Sequence, residues 1–199
     1  MKRLSLVLAI AALVTVGTAD AKPVVGQPAP AFTVTDSNGK SHSLADFAGK
    51  TVVLEWNNPE CPFVKKHYSG NMQRQQKDAT GRDVVWLTIN SGKAGKQGHL
   101  DGAGANAYMV ASNASPTAYL IDADSATGEA YAAKTTPHMF VIDGKGTLQY
   151  MGAIDSVPST DVDDIAGATQ YVPQALAELA AGRPVSVATT QPYGCSVKY

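Results

Sequence analysis

The amino-acid sequence predicts an α/β domain in which a mixed β-sheet is flanked by helices. Three runs rich in β-branched and other apolar residues, at 51–56, 83–90 and 117–122, alternate with stretches of helical composition. Apolar runs of this kind are typical of strands that helices cover on both faces. Further along, Gly144, Lys145 and Gly146 separate two more apolar runs, and this spacing is typical of an antiparallel hairpin. The sheet is therefore expected to be mixed.

Short elements precede the first buried strand. Residues 32–35 alternate as a strand, and the Asn38-Gly39 pair in the following turn accepts positive φ, which favours a hairpin. Residues 43–47 have the composition of a single helical turn. We therefore expect an N-terminal β-hairpin extension before the strand at 51–56.

The later elements continue the alternation of strands and helices. A loop at 57–60 leads into a helix that begins near Cys61 and Pro62, because proline fits the first helical turn, where no N–H is needed. The strand at 83–90 is followed by a polar, glycine-rich loop at 92–98, a helix at 103–112 and the strand at 117–122. Hairpin strands are expected at 139–143 and 147–151, and an amphipathic helix at 168–181, with Pro173 near its start. The last fifteen residues have no clear pattern and are expected to lie across the surface.

The composition excludes several classes of protein. The chain has 199 residues, of which 44% are hydrophobic and 17% charged, as is typical of a soluble globular domain rather than a disordered or membrane-embedded chain. Its 16 basic and 17 acidic residues give a net charge of -1, so there is no basic excess to bind nucleic acid. Two cysteines are too few for a disulfide scaffold or a cysteine-rich zinc site, but each can do redox chemistry.

Residues 1–21 have the pattern of a cleavable secretory leader. Lys2 and Arg3 precede an apolar stretch of 13 residues, and residues 19–21 have the small-x-small form that signal peptidase accepts. As a helix the apolar stretch covers about 20 Å, short of a bilayer core of roughly 30 Å, so an uncleaved anchor is the weaker alternative. We expect an exported, periplasmic protein with a leader at 1–21, a domain at 22–182 and a tail at 183–199 that carries Cys195.

Cys61 lies directly before Pro62, where a predicted strand and loop lead into a helix. Backbone N–H groups and the partial positive charge at a helix N-terminus stabilise a thiolate, and so lower the pKa of a cysteine placed there. Lys65 and Lys66 add to this effect, whereas Glu60 opposes it. The polar residues on both sides favour exposure of the thiol, and the alternative is a buried structural cysteine.

Four segments together are similar to the redoxin branch of the thioredoxin-fold superfamily, which includes the AhpC/TSA, or peroxiredoxin-like, proteins. They are GQPAPAF at 26–32, KTVVLEW at 50–56, ECPF at 60–63 and TTPHMFVID at 135–143. The resemblance covers nearly all of the chain after residue 21, and it implies a thioredoxin-like fold with a mixed central sheet flanked by helices. Within this branch, the sequence resembles an exported group that keeps a single cysteine in Glu-Cys-Pro-Phe and ends in Tyr-Gly-Cys-Ser-x-Lys-Tyr.

This resemblance implies roles for four residues. Cys61 corresponds to the nucleophilic, N-terminal cysteine of the C-x-x-C motif, and Pro137 to the cis-proline beside it. The backbone of Thr136, just before that proline, would then face the active loop and pair with a substrate chain. Glu55 stands where thioredoxins place a buried acid that helps proton transfer. For Pro137 the alternative is an ordinary trans-proline at a strand start.

Two departures separate the chain from the standard chemistries of the superfamily. Val64 stands where C-x-x-C has its second cysteine, and Leu54 and Asn58 replace the proline and threonine of the peroxiredoxin pattern P-x-x-x-T-x-x-C. Peroxiredoxins often resolve an oxidised nucleophile with a C-terminal cysteine, so the resemblance implies a Cys61–Cys195 pair. The alternatives are a structural disulfide, which would close about 133 residues and add roughly 5 kcal/mol, and unpaired or intermolecular cysteines.

Histidines and aspartates are weaker candidates. His67, nearly two helical turns after Cys61, is expected to be a surface or packing residue. His138 lies beside Pro137 and could bind a metal together with Cys61, which is a minor alternative. The aspartates Asp155, Asp161, Asp163 and Asp164 match no EF-hand spacing, so a solvated acidic loop is expected. No nucleotide motif is found, and we predict neither a cofactor nor a metal.

Together these residues predict a thiol–disulfide oxidoreductase. Cys61 is the nucleophile and Cys195 resolves the mixed disulfide, while Thr136 and Pro137 position the partner and Glu55 helps to move the proton. The expected partner is a protein or small-molecule thiol or disulfide, not nucleic acid, and the protein is not membrane-embedded. Two alternatives stay open: a peroxidase that reduces peroxide at Cys61, and a non-enzymatic binding or metal-delivery protein on the same scaffold.

Overall fold

A seven-stranded mixed β-sheet forms the centre of the protein. The structure, a computed structural model, describes residues 22–199, so the predicted leader lies outside the described residues. The strands within these residues are β1 (Thr33–Asp36), β2 (Ser41–Ser43), β3 (Val52–Trp56), β4 (Val85–Asn90), β5 (Ala118–Ile121), β6 (Thr135–Thr136), β7 (His138–Ile142), β8 (Leu148–Gly152) and β9 (Cys195–Ser196). The order across the large sheet is β2-β1-β5-β4-β3-β7-β8, and β6 pairs with β9 in a separate two-stranded sheet.

The large sheet combines parallel and antiparallel pairs. β3, β4 and β5 are parallel neighbours, whereas β1–β2 and β7–β8 are antiparallel hairpins at the two edges. β1 pairs antiparallel with β5, and β7 with β3. The predicted mixed sheet, the N-terminal hairpin and the hairpin around residues 144–146 are therefore confirmed.

Helices connect and cover these strands. They are α1 (Pro62–His67), α2 (Asn71–Thr80), α3 (Gly102–Ala111), α4 (Ala126–Ala130) and α5 (Tyr171–Ala180), with short 3-10 helices at Leu44–Phe47 and Asp163–Ile165. α2 packs on β4, α5 packs on β7, and the two helices contact each other. None of the helices in residues 22–199 is long and apolar enough to cross a membrane.

Two apolar clusters lie on opposite faces of the sheet. Side chains of a strand alternate between its faces, so Val52, Leu54 and Trp56 of β3 lie in one cluster and Val53 in the other. The second cluster also contains the apolar faces of α2 and α5, with Met72, Ala79, Val172 and Leu176. β3 is therefore buried along its whole length, as expected for an apolar run that is covered on both faces.

The structure differs from the sequence-based expectations at short or interrupted elements. The sequence predicts the start of the helix at Pro62 but not its end; the helix ends at His67, and α2 begins at Asn71. Gly70 between them has a φ of +129°, a backbone conformation that interrupts a helix and favours glycine. The sequence does not predict α4, β6 or β9, and α5 begins at Tyr171 rather than at residue 168.

Candidate active site

The register of the central strands places Cys61 beside the segment that contains Pro137. β3 and β7 are antiparallel, and Trp56 at the end of β3 lies opposite His138 at the start of β7. The loop that follows β3 and the residues that precede β7 therefore meet at one end of the sheet. The Thr136–Pro137 peptide bond is cis, the isomer that the resemblance implies. The neutral Cys61 thiol donates to the carbonyl oxygen of Thr136, at a distance of 3.1 Å.

Several donors around the Cys61 sulfur favour its ionised form. Cys61 directly precedes α1, and Pro62 occupies the first helical position. Burial by itself raises the pKa of a thiol, because a thiolate is poorly stabilised away from water. The thiol and backbone N–H of Cys195, the backbone N–H of Val64 and the Thr136 hydroxyl act in the opposite direction. Together they outweigh burial and hold the pKa of Cys61 below its usual value, which favours the nucleophilic thiolate.

The tail, residues 183–199, brings the second thiol to the same position. β9 pairs antiparallel with β6, and Cys195 lies opposite Thr136. Gly194 has a φ of +128°, and a Cβ atom there would lie 2.1 Å from the Thr136 carbonyl oxygen, so this approach requires glycine. Burial, a hydrogen bond to Cys61 and repulsion by the Cys61 thiolate raise the pKa of Cys195 to about 11. The structure thus brings together four of the predicted site residues: Cys61, Thr136, Pro137 and Cys195.

The expected exposure of Cys61 is wrong. The exposed fraction of this residue is 0%, because Thr136 and the tail lie against its sulfur. The Lys66 ammonium, expected to add positive charge near the sulfur, is itself buried and donates to the Val157 carbonyl. Hydrogen bonds rather than lysine charge therefore lower the pKa of Cys61.

Glu55 is fully buried in β3. Its carboxylate oxygens accept five hydrogen bonds, from the side chains of Asn57, Tyr68, Gln76, Trp86 and Thr88. Asn57 is the first residue of the loop that leads to Cys61. Among residues 22–199 the structure has no direct hydrogen bond between Glu55 and Cys61, so the predicted acid lies at the base of this loop rather than against the sulfur.

The two histidines that the sequence offers as weaker candidates, His67 and His138, are buried and neutral. The ring of His138 packs at a tilt against that of Phe140, and burial, together with the charge of Lys134, lowers the pKa of His138 to about 3. His67 is buried rather than on the surface, and burial lowers its pKa to about 4, although the charge of Asp155 opposes the shift. In the part of the chain that the structure describes, no three His, Cys, Asp or Glu side chains are grouped so that they could hold a metal ion.

The expected solvated acidic loop is wrong for one of its four aspartates. Asp161 and Asp163 are exposed and Asp164 is half-buried, but Asp155 is fully buried. The Asp155 carboxylate accepts a hydrogen bond from the hydroxyl of Tyr193 in the tail. Asp155 is therefore buried by a contact with a residue distant in sequence, which the local composition does not indicate.

The path of the tail is the part of the site that sequence reasoning misses. The tail runs along β8, where Thr190 donates its N–H to the Met151 carbonyl, and the Tyr199 hydroxyl donates to the Ala133 carbonyl near its end. A two-residue strand has no detectable period, so β9 gives no pattern to find. The one local signal is Gly194 directly before the cysteine, because glycine often marks a close backbone approach.

Comparison with known proteins identifies related chains. Residues 25–151 match the model of the AhpC/TSA family. Over 125 residues the chain is 28% identical to the thiol-disulfide oxidoreductase ResA of Bacillus subtilis strain 168, and the alignment covers 62% of this chain and 64% of that protein. The chain therefore spans less than two thirds of the length of this curated relative.

Solved structures identify the fold. A hypothetical protein from Sinorhizobium meliloti 1021 superposes with a TM-score of 0.75 at 23% identity, over 90% of this chain and 96% of that one. The thioredoxin domain of a thiol-disulfide oxidoreductase from Bacteroides vulgatus superposes with a TM-score of 0.54 at 17% identity, over 72% of this chain and 96% of that one. These similarities confirm the thioredoxin-like fold that the sequence predicts.

Proposed function

The chain belongs to the AhpC/TSA family, and on this basis we propose that it is a thiol–disulfide oxidoreductase with Cys61 as nucleophile and Cys195 as resolving thiol. The observation that carries the proposal is the placement of both cysteines against Thr136, beside a cis-proline: the Cys61 sulfur lies 3.1 Å from the Thr136 carbonyl oxygen, and Cys195 lies opposite Thr136 in the β6–β9 pair. A nucleophile must be ionised, and a resolving cysteine must reach the same sulfur. The similarity to a thiol-disulfide oxidoreductase supports the same reaction class.

In the proposed reaction, the Cys61 thiolate attacks a disulfide R–S–S–R′. The substrate S–S bond breaks, a mixed disulfide between Cys61 and R forms, and R′ leaves as a thiolate that takes up a proton. Cys195 then loses its proton, attacks the Cys61 sulfur and releases R as the second thiol. The substrate gains two electrons, the two cysteines are oxidised to a disulfide, and an external dithiol reduces that disulfide before the next cycle.

The charges around the two thiols favour this order of steps. Besides burial, the hydrogen bond to Cys61 and the charge of its thiolate raise the pKa of Cys195 in the reduced protein. When Cys61 enters a mixed disulfide, its negative charge is gone, and the pKa of Cys195 falls. The resolving thiol therefore becomes easier to ionise only after the first step.

Three other residues have supporting roles in the proposal. The backbone of Thr136 forms the edge strand β6, which can pair with an extended partner, and the cis-proline Pro137 fixes that strand beside Cys61. Glu55 assists proton transfer from the base of the Cys61 loop, to which a 3.2 Å hydrogen bond from Asn57 links it.

The proposed partner is a protein or small-molecule thiol or disulfide outside the cytoplasm, in the periplasm. The leader pattern at residues 1–21 supports export. An oxidising compartment also supplies disulfides as substrates and allows a pair of cysteines to form a disulfide.

Intact-mass analysis and peptide mapping test the proposal. The protein is treated with one equivalent of a low-molecular-weight disulfide, its free thiols are alkylated, and the products are compared before and after dithiothreitol. We expect a reversible Cys61–Cys195 bond in the wild type, no turnover in Cys61→Ser, and accumulation of a mixed disulfide on Cys61 in Cys195→Ser. If Cys61 remains fully alkylatable, the proposal is wrong. A bond with a reduction potential below about -300 mV would instead identify a structural disulfide.

The peroxidase alternative has less support from the contacts of Asn58, which stands at the threonine position of the peroxiredoxin pattern. Its side chain accepts from the Glu60 N–H at 2.9 Å and donates to the Gln97 carbonyl at 3.3 Å. Both ends of the amide are thus engaged by the backbone rather than directed at a bound peroxide. We expect Cys61 to consume peroxide no faster than free cysteine, and a clearly faster rate would favour the peroxidase.

A further inference from the structure

Cys61 cannot meet a protein substrate in the conformation that the structure describes. The residue has no exposed surface, and the backbone of Thr136, with which an extended substrate would pair, is already paired with Cys195. The tail of the protein thus occupies the position of its proposed substrate. Access to Cys61 requires that the tail leave this edge.

A buried group of side chains holds the tail in place. The Tyr193 hydroxyl donates to the Asp155 carboxylate and lies 3.1 Å from Nε2 of His67. Because the single Tyr193 proton goes to the carboxylate, Nε2–H of His67 must donate to the Tyr193 oxygen. Nδ1 of His67 then accepts from the Asn71 amide, 2.9 Å away. We call Tyr193, His67 and Asp155 the tail latch.

The tail latch is connected to the helix that follows the nucleophile. His67 is the last residue of α1, which begins at Pro62 directly after Cys61. The Tyr193 ring also packs edge-on against Phe63 of the same helix, with ring centroids 5.7 Å apart. The residue two positions before Cys195 is therefore held by the first and last turns of the helix that carries Cys61 at its start.

One atom of the tail latch is left without a hydrogen bond. Oδ2 of Asp155 is buried, and residues 22–199 provide it with no hydrogen-bond partner. Lys66 Nζ and His67 Nε2 each lie 3.7 Å away, which is too far for a hydrogen bond. A buried carboxylate oxygen without a partner gains solvation when the site opens, so this contact is easier to break than a fully satisfied one.

We propose that the tail latch holds the protein in a closed, autoinhibited state, and that a protein substrate reaches Cys61 only when an extended segment of the substrate replaces the tail on Thr136. The identity of the substrate rests on the proposed function. The closed state depends only on the tail contacts and can be measured separately.

The test measures the rate at which Cys61 is alkylated. The sequence has two cysteines, so in a Cys195→Ser background the loss of free thiol reports on Cys61 alone. Rates with iodoacetamide are measured over a range of pH, because the plateau at high pH reports access to the sulfur rather than its pKa. Tyr193→Phe removes the hydroxyl that makes both latch contacts. We expect alkylation to become faster by about tenfold or more, as two hydrogen bonds of ordinary strength imply.

A matched control and a second variant separate the tail latch from the tail itself. Tyr171→Phe removes a neighbouring hydroxyl for which the described residues provide no hydrogen bond, and should leave the rate unchanged. Gly194→Ala keeps the latch residues but adds a Cβ that would lie 2.1 Å from the Thr136 carbonyl oxygen, so the tail must shift and alkylation should also become faster. In Tyr193→Phe and Gly194→Ala, amide hydrogen exchange should increase in the peptide 190–199 and stay unchanged in β3 and β4.

Each outcome decides a separate point. Faster alkylation in both variants supports the proposal. If Cys61 is alkylated in Tyr193→Phe at the same rate as in Tyr171→Phe, the tail latch is overturned, even if Gly194→Ala reacts faster. If the alkylation rate changes in neither Tyr193→Phe nor Gly194→Ala, the tail does not control access to Cys61. None of these measurements requires catalysis, so their failure is distinct from a failure of the oxidant mapping that tests the proposed function.

Discussion

Glu55 and Asp155 are both fully buried, yet their carboxylates are hydrogen-bonded very differently. The oxygens of Glu55 accept five hydrogen bonds of 2.7 to 3.2 Å. Oδ1 of Asp155 accepts from the Tyr193 hydroxyl and the Val157 N–H, while Oδ2 accepts none within residues 22–199. Both oxygens of the Glu55 carboxylate therefore accept hydrogen bonds, whereas only one of the two Asp155 oxygens does.

The difference follows from the parts of the chain that supply the donors. Donors to Glu55 come from β4, α2 and the loops that adjoin β3 and α1, so the same elements that build the sheet fix this carboxylate. The side-chain donor to Asp155 is Tyr193, which belongs to the tail. Burial alone therefore does not indicate whether a charged residue stabilises the fold or holds a segment that can detach. The elements that supply its hydrogen-bond donors do indicate this.

Replacing Glu55 should have the largest effect on the fold. Glu55→Ala leaves five donors, four of them buried, without their acceptor. At about 1 kcal/mol or more for each buried donor, we expect the free energy of unfolding to fall by roughly 4 kcal/mol or more. Urea denaturation followed by tryptophan fluorescence measures this change, because Trp86 is one of the donors.

Thr88→Val is the matched control for Glu55→Ala. It removes one of the five donors and leaves the carboxylate with four, so the expected loss is about 1 kcal/mol. If Glu55→Ala cost no more than this control, the hydrogen bonds to Glu55 would not be what fixes the surrounding elements.

Removal of Asp155 should cost less, about 3 kcal/mol. In Asp155→Ala the buried Lys66 ammonium loses its nearest carboxylate but keeps the Val157 carbonyl and the Ser159 hydroxyl as acceptors. Adding Lys66→Met removes the buried charge itself, so the double variant should be more stable than Asp155→Ala alone in the same denaturation experiment. A double variant that is no more stable would contradict the pairing of Lys66 with Asp155.

Acid should weaken the region around Asp155. Burial lowers the pKa of His67 to about 4, partly opposed by Asp155 and reinforced by Lys66. At pH values between about 4 and the ordinary histidine pKa of about 6.5, His67 binds a proton in the unfolded chain but not in the folded chain. The contribution of His67 to stability is therefore complete above about pH 6.5 and falls on acidification toward pH 4, by about 3 kcal/mol.

His67→Gln should flatten this part of the stability curve, as measured by urea unfolding at several pH values. His138, whose pKa is lowered to about 3, contributes a slope of the same sign that remains in the variant. An unchanged slope in His67→Gln would mean that His67 is not neutral in the folded protein.

Local patterns were sufficient to predict the elements around Cys61. The β-branched run at 51–56 predicts a buried strand, Pro62 predicts the start of a helix, and both are confirmed. These patterns do not predict that Thr136 and Pro137 lie beside Cys61, because that placement depends on the antiparallel register of β3 and β7, which is a long-range property. Only the resemblance to a known family supplied that part of the prediction.

The two wrong expectations about exposure both concern contacts with the tail. Cys61 was expected to be exposed and Asp155 solvated, since each stands in a polar stretch of sequence. Both are buried because residues near the C-terminus lie against them, Cys195 in one case and Tyr193 in the other. Such contacts have no local period or propensity. The boundary of the domain at residue 182 stays a prediction.

Two tyrosine variants should separate the two carboxylates with the smallest perturbation. The Tyr68 hydroxyl donates to Glu55 at 2.7 Å and that of Tyr193 donates to Asp155, so each change to phenylalanine removes one donor. Tyr68→Phe should lower the free energy of unfolding by about 1 kcal/mol and leave hydrogen exchange in the tail unchanged. Tyr193→Phe should change global stability by less than about 0.5 kcal/mol, because tail release is a local opening, but it should speed exchange of the Val197 amide. If instead both variants lose equal global stability and the tail stays protected, the tail unfolds with the core, and the two carboxylates differ only in their number of donors.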